Sequence, residues 1–508
     1  MYRKDNPHQL TFKDCYLPFG GPLRSDNRWV ILADQIPWHQ IEETYGELFS
    51  EDNGCPAKSA RTALGALIIK ERLGTSDRET VEQIGENPYL QYFLGLKEYQ
   101  DIPPFDHSMM THFRKRFDKS MLKHINESIV EGAMEDSESK DVEVDDSKDE
   151  SSDNDANDPP SNKGKMIVDA TCTPADIAYP TDLSLLNEAR EKSEEIIDAM
   201  HEPFVGERKK PRTYRQKARK AYLAVAKQKK PGAKKIRKAI GQQLRYLKRN
   251  FGYIDRMAEE GLLVYLDKRL YRLLLVIREL YRQQQWMYET RTHRIGDRLV
   301  SLYQPHVRPI VRGKAKSAVE FGAKVSISLV DGFSFVEKIG WDAYNESCDL
   351  IEQIEQYHQR FGCYPESVHV DKIYRTRDNR RFCQKHGIRL SGPSLGRPSE
   401  DTALLKEQKQ LQRQDELDRN AVEGKFGQGQ RRFSLARVMT KLAQTSEVSI
   451  VISFIVMNLE KILSGIVSFW LFIEWRLLVG WRQPSLRPSD LNLMDCIPQP
   501  ESVDDKKR

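Results

Sequence analysis

From about residue 315 the chain alternates. Val319, Phe321, Ala323, Val325, Ile327 and Leu329 are apolar, with small or polar residues between them. A period of two predicts a half-buried β-strand. Asp331-Gly332 then predicts a tight hairpin turn into a second strand over 333–339. Upstream, KMIVDAT (165–171) is a short apolar run that reads as a buried strand with Asp169 at its end. Between these strands, from about 184 to 300, the period is helical. Leu262, Leu266, Leu270, Leu273, Ile277 and Leu280 recur at spacings of three and four and predict one face of a single long amphipathic helix. Beyond the hairpin, 349–361 predicts a helix stopped by Gly362, SVHVD (367–371) a strand ending in Asp371, 377–385 a helix and 388–391 a short strand. This order, strand, helical insertion, hairpin, helix, strand, helix, strand, helix, is an α/β pattern with a mixed sheet.

The flanks read differently. Residues 38–117 predict short helices: one from Ala60 to a stop at Gly74, a second opened by a Ser76/Glu79 capping box, and a third over MMTHFRKRF. The third ends in Arg114, Lys115 and Arg116, so the unit is compatible with a helix-turn-helix-like DNA reader. The tail carries two charge-free apolar runs of 12 residues each, split by Glu460-Lys461. A membrane span needs about 20 apolar residues, so packed helices and no membrane are expected.

Charge changes the picture. Residues 135–158 hold 12 Asp/Glu against Lys140 and Lys148, whereas 208–249 hold 18 Lys/Arg and no acid, on a chain whose net charge is only +5. The acidic Ser/Asp/Asn-rich tract cannot bury apolar surface and reads as a disordered linker. The basic block suggests a polyanionic partner, because each phosphate contact releases counterions. Interleaved with Tyr214, Tyr222, Tyr246 and Phe251, it is the expected DNA-backbone surface, carried by Lys209, Lys210, Arg212, Arg215, Lys217, Arg219 and Lys220. Seven scattered cysteines without a CxxC pair, and an N-terminus MYRKDNPHQL without an apolar core, lead to the expectation of a cytoplasmic protein.

Asp169 and Asp371 both fall where strands are expected to end. Carboxylates on one sheet suit hard, oxygen-seeking cations, and two Mg²⁺ so held can flank a phosphodiester. A third acid is expected on a following helix; Asp401, Glu407, Asp415, Glu416, Asp418 and Glu423 are all available, and spacing does not choose among them. His369 reads as a core or surface histidine; His306 and Trp341 are expected near the acidic site, with Trp341 read as buried in preference to a DNA-stacking role.

Several long blocks carry a resemblance. They are "CPAKSARTALGALIIKERLGTSDRETVEQIGENPYLQYFLGL", "VDATCTPADIAYPTDLSLLNEAR", "VRGKAKSAVEFGAKVSIS", "HVDKIYRTRDNRRF" and "RNAVEGKFGQGQRRFSLARVMTKLAQTSE". In this order, across most of residues 38–465, the chain resembles the DDE transposases of bacterial insertion sequences, of the insertion-sequence-five type. The resemblance implies an RNase H-like mixed sheet with a long helical insertion, preceded by a small all-helical N-terminal domain. It places the catalytic and metal-binding triad on Asp169, Asp371 and Glu423, with two Mg²⁺ (or Mn²⁺) ions. Arg419 matches the Arg of an Arg-x3-Glu signature and is expected to hold a phosphate. Glu416 stands where that signature has Tyr and Gln430 where it has Lys, with Arg431 and Arg432 immediately after as candidate DNA contacts.

The organisation so implied is an N-terminal arm (1–37), a helical DNA-end-binding domain (38–118), the acidic linker (119–163), a catalytic domain in two pieces (164–183 and 316–447), the basic helical insertion (184–315), apolar C-terminal helices (448–482) and a polar tail (483–508). The activity it implies is Mg-dependent cleavage at insertion-sequence ends and strand transfer into target DNA, by a homodimer on double-stranded terminal repeats and target. The alternatives are a nuclease of the same fold without strand transfer and a catalytically inactive DNA-binding descendant.

Overall fold

The alternating run after residue 315 becomes the spine of a six-stranded sheet in the computed structural model, which describes residues 21–49, 56–142, 162–311, 319–393 and 402–480. Helices α1 (Arg28–Asp34), α2 (Trp38–Gly46), α3 (Ala60–Leu73), α4 (Asp77–Glu86), α5 (Pro88–Phe93) and α6 (Met109–Arg116) come first, followed by α7 (Lys119–Val142). Strand β1 (Lys165–Pro174) leads into α8 (Asp182–His201), α9 (Arg215–Ala226), α10 (Ala233–Glu259) and α11 (Lys268–Thr290). The sheet resumes with β2 (Arg308–Val311), β3 (Val319–Val330) and β4 (Phe333–Gly340). Then come α12 (Leu350–Phe361), β5 (Ser367–His369), α13 (Arg377–Lys385), β6 (Arg389–Leu390), α14 (Thr402–Arg432) and α15 (Ala443–Gly480).

The strand order is β2-β3-β1-β5-β6, with β4 also on β3. β1 runs antiparallel to β3 and parallel to β5, so the sheet is mixed. Asp331 and Gly332 have φ of 48° and 76°, the left-handed pair that a two-residue hairpin turn requires. Gly322 on β3 is flanked by Pro174 of β1 and Arg308 of β2, and a Cβ there would overlap the Thr173 carbonyl. Only glycine permits that close backbone approach.

The insertion has a core of its own. Leu186, Ala189, Ile196, Ile197 and Met200 of α8 pack with Leu244, Leu247 and Ile254 of α10 and Ile277 and Leu280 of α11. Each such buried leucine, isoleucine or methionine contributes about 2 kcal/mol of transfer free energy. Arg190, 1% exposed, is held inside this bundle by Asn187, Glu191 and Glu194. At the neck, Asp182 at the start of α8 accepts from Arg298 (2.6 Å) and Gln284 (2.9 Å).

Several expectations are corrected. The segment assigned to the linker from residue 119 is helix α7 as far as Val142, because Met121, Leu122, Ile125, Ile129 and Val130 give it a buried apolar face. Residues 143–161 of that tract lie outside the described residues. Residues 28–34, placed in the arm, form α1, with Trp29, Val30 and Leu32 buried and Asn27 capping it. The leucine stripe from 262 is broken: a 3₁₀ turn, Leu262–Tyr265, ends before α11, which starts afresh at an Asp267 N-cap. Asp169 lies inside β1 rather than at its end, since the strand continues to Pro174. The tail is one helix that passes through Glu460-Lys461.

The chain divides into two compact units, one ending at Leu459 and one beginning at Glu460. In the first, Val448, Ile450, Val451, Phe454, Ile455, Val456 and Met457 of α15 are buried. Among the described residues one stretch, Ala443–Ile466, is long and apolar enough to cross a membrane, and 61% of its most apolar window is buried. A core helix of a soluble protein passes the same test.

Candidate active site

The parallel pairing of β1 with β5 sets the geometry. Lys165 pairs with Ser367 and Ile167 with His369. Carried two residues on, this register sets Asp371 level with Asp169, and strand alternation puts both side chains on one face. Lys165, Asp169, His369 and Asp371 therefore share a face, and α14 lies across it. Asp418 takes Lys165, Asp415 stands 3.5 Å from His369 Nδ1, and Arg419 reaches Asp371. His369 is fully buried, with Ser367 Oγ 3.1 Å from its other nitrogen. Arg389 places one guanidinium nitrogen 3.0 Å from both oxygens of Asp415. These contacts fix the register of α14 on the sheet, and Val422, fully buried, anchors the same helix face.

Asp169 is mostly buried and its Oδ1 accepts from the Ala170 N–H at 2.8 Å. Burial, the charge of Glu346 and, less, that of Asp371 push its carboxyl up to about 6, against the opposing effects of the Ala170 N–H and Arg419. Asp371 follows β5 at the start of a short 3₁₀ turn. Its carboxylate Oδ1 lies 3.0 Å from Arg419 Nη1, while Arg419 Nη2 is 3.8 Å from Glu423 Oε1. Arg419 and Glu423 are four apart on α14 and so face the same way. Asp371 and Glu423 are 55% and 60% exposed and Arg419 is 29% exposed. The guanidinium thus bridges the second and third carboxylates and is felt by the first. Gly424 and Gly427 do not interrupt the helix.

Three carboxylates on a sheet and a facing helix are the donor chemistry of a hard divalent cation. Their present spacing is that of a guanidinium clasp: among the described residues no three His, Cys, Asp or Glu side chains stand close enough to hold one metal ion. Tyr374 is fully buried; burial pushes its phenol up, and it senses the charges of Glu346 and Asp169.

The expected DNA-contact residues are spread more widely. Arg431 and Arg432 are exposed in the last turn of α14, about 12 Å along the axis from Glu423 at 1.5 Å per residue. In the basic block Lys209, Lys217, Arg219 and Lys220 are exposed, and Arg212 lies over the Tyr214 ring at 4.6 Å. Lys210 and Arg215 are instead paired with Asp198, at 2.6 and 2.8 Å. Arg114 is buried against Asp77, and Arg116 lies over Phe49, which leaves Lys115 the exposed member of its cluster. For Arg114, Lys210 and Arg215 the structure therefore shows an intramolecular partner where the sequence suggested a phosphate. Trp341 donates to Glu447 at 3.0 Å and stacks edge-on with His306, whose imidazole burial pushes down to about 4.

Sequence reading missed two arginines in the turn and helix that follow Asp371, Arg375 and Arg380. Arg375 contacts the Val370 carbonyl at 3.4 Å, and its buried Nε has no hydrogen-bond partner. Burial, and then the charge of Arg380, push its pKa down. The only local signal was the spacing of Arg375 and Arg380 after Asp371.

Comparison with known proteins follows the same division of the chain. A family described as "Transposase DDE domain" matches residues 368–460, and one described as "Transposase domain (DUF772)" matches residues 21–116. The chain is 33% identical over 156 residues to "Uncharacterized protein ORF8 in nfe locus" of Rhizobium meliloti. That similarity covers 31% of this chain and 66% of the relative, just under two thirds of its length. No solved structure matches. With a match to one transposase domain in its N-terminal helices and to a DDE transposase domain running from β5 into α15, the chain is similar to transposases at both ends of its fold, consistent with a DDE transposase of an insertion sequence.

Proposed function

We propose that this chain cuts DNA at the ends of an insertion sequence and joins the freed end to target DNA, on an RNase H-like sheet, with Asp169, Asp371 and Glu423 as the residues that hold two Mg²⁺ or Mn²⁺ ions. The observation that carries this reading is the convergence of Asp371, Arg419 and Glu423 on the strand face that bears Asp169. Bound there, divalent ions would neutralise charge on the attacking and leaving oxygens of a phosphodiester. In the first step a water oxygen bonds to phosphorus as the phosphorus–O3′ bond breaks, leaving a 3′-hydroxyl. In the second, that hydroxyl bonds to a target phosphorus and displaces a target 3′-oxygen.

The chain's own residues position these atoms. The Lys165–Asp418 and His369–Asp415–Arg389 contacts hold α14 so that Glu423 faces the strand edge. With cations held by Asp371 and Glu423, Arg419 would be released from those carboxylates and would take a phosphate oxygen. The N-terminal helices would read the terminal repeats, with Lys115 outward. The exposed lysines and arginines of α9 would grip flanking backbone. Two ends require two copies, so a homodimer on double-stranded DNA, acting in the cytoplasm, belongs to the same proposal.

The test is Mg-dependent cutting of a plasmid carrying the element's own ends. Asp169→Ala, Asp371→Ala and Glu423→Ala should each lower the rate by about a thousandfold or more, in line with loss of several kcal/mol of charge stabilisation. Wild-type rates from Asp371→Ala would end the proposal. Recovery of cut ends that never join a second plasmid would reduce the activity to a nuclease.

A further inference from the structure

Arg375 and Arg380 are an unusual pair to leave side by side. Among the described residues neither makes an ion pair, and both guanidinium groups rest on backbone carbonyls. Arg375 Nη2 approaches the Val370 carbonyl, Arg380 Nε that of Arg375 at 3.3 Å, and the Arg380 Nη groups that of Pro393 at 3.4 and 3.5 Å. Arg375 Nε is sealed from water with nothing to donate to. Its guanidinium lies across Gly392, whose φ of +98° and lack of a side chain leave the room; any Cβ there would overlap it. The backbone is thus shaped to keep a cation in place beside a second cation. A partly buried positive charge whose hydrogen-bond partners are backbone carbonyls costs free energy in the isolated protein, and a nearby anion recovers it.

The location supplies the anion. Arg375 follows Asp371 by four residues and feels the charges of Asp371 and Arg419. We propose that Arg375 and Arg380 form a phosphodiester-binding subsite that grips a DNA backbone phosphate next to the one held at Asp371. The subsite rests on the DNA-processing reading above and extends it by naming where the neighbouring phosphate sits. Arginine suits this place because its planar fork can meet two phosphate oxygens at once.

The test uses the full-length chain and a fluorescent duplex from the end of the element that carries this gene, with an arbitrary-sequence duplex beside it. Binding is followed by anisotropy between about 50 and 200 mM salt. Each lost phosphate contact should flatten the plot of log affinity against log salt by about 0.9. Arg375→Gln and Arg380→Gln should each show that change, with affinity weakened about five- to tenfold on both duplexes. Gly392→Ala, which drives the guanidinium from its seat while keeping its charge, should weaken binding as Arg375→Gln does. Arg380, at the outer end of the pair, guards against an unfolded variant, and melting temperatures verify each protein. Wild-type slope and affinity in both arginine variants would overturn the subsite alone. Absence of any wild-type binding would overturn the subsite and the DNA-processing reading together. Arginine-dependent binding with undiminished cutting by Asp371→Ala would keep the subsite and sink the catalytic assignment.

Discussion

Asp169 stands where three influences compete: burial and two neighbouring carboxylates favour its neutral form, and Arg419 with the Ala170 N–H favours its charge. The outcome is a carboxyl at about 6 in the folded chain against an ordinary 3.8. In metal-free protein the unfolded chain loses this proton first as pH rises. The native state therefore binds more protons through that window, and its stability falls between about pH 4 and pH 6. Asp169→Asn should flatten that slope, raising the urea midpoint relative to wild type at about pH 7 while leaving it close to wild type at about pH 4. An unchanged pH slope in the variant would show that Asp169 titrates normally. Arg419 belongs to the same balance, because it neutralises Asp371 and Glu423 in the absence of any ion.

At the scale of elements, the decisive contact is between α14 and the β1/β5 face. Asp415 is the hub, with Arg389 at 3.0 Å and His369 at 3.5 Å on a fully buried ring. Asp415→Ala should cost about 1.5–3 kcal/mol, the usual range for hydrogen bonds to a charged group. It should also lower the cutting rate at saturating DNA more than it weakens DNA binding, because Glu423 rides on the same helix. Full activity from a folded Asp415→Ala protein would separate helix docking from catalysis.

What could be read in advance at this scale was local. The Asp331-Gly332 hairpin and the Gly74 and Gly362 helix stops follow from turn chemistry within a few residues, and each has the left-handed φ expected. The same reading failed where a competing signal acted over distance. The apolar stripe of α7 at Met121–Val130 was folded into the linker because the acidic tract that follows it drew the boundary back to residue 119. An unbroken leucine period hid the Asp267 cap. Strand β2 is only four residues long and is secured by its pairing with β3 rather than by a pattern of its own. The positions of Asp169, Asp371 and Glu423 came from likeness to a family, since spacing left six acids available for the last. The ion partner of Asp371, like those of Arg114 and Arg215, comes from a residue remote in sequence and becomes visible only in the fold.

Across the molecule, distant segments are tied by a few buried polar groups. Glu71 of α3, 4% exposed, accepts from Ser434 N (2.7 Å), Ser434 Oγ (2.8 Å) and Ser453 Oγ (2.7 Å). Asn458 of α15 joins Asn126 of α7 to Ser334 of β4. The helical insertion stands apart from this network, with a core drawn from its own residues and a neck closed by Asp182, Gln284 and Arg298. A fragment spanning residues 180–302 should therefore fold alone, with helical circular dichroism and one cooperative melt. A fragment that stays unfolded would show that the sheet is needed to support it.

The flanking of Gly322 by Pro174 on one side and Arg308 on the other has a consequence for how such chains diversify. The polypeptide departs from the sheet and rejoins it about two strand spacings apart, near 10 Å, so whatever is spliced between these points hangs from a narrow stem. Lengthening, shortening or exchanging that appendage leaves the strand register untouched. The protein can thus acquire a new surface, or shed an old one, while the acids that would do its chemistry keep their places.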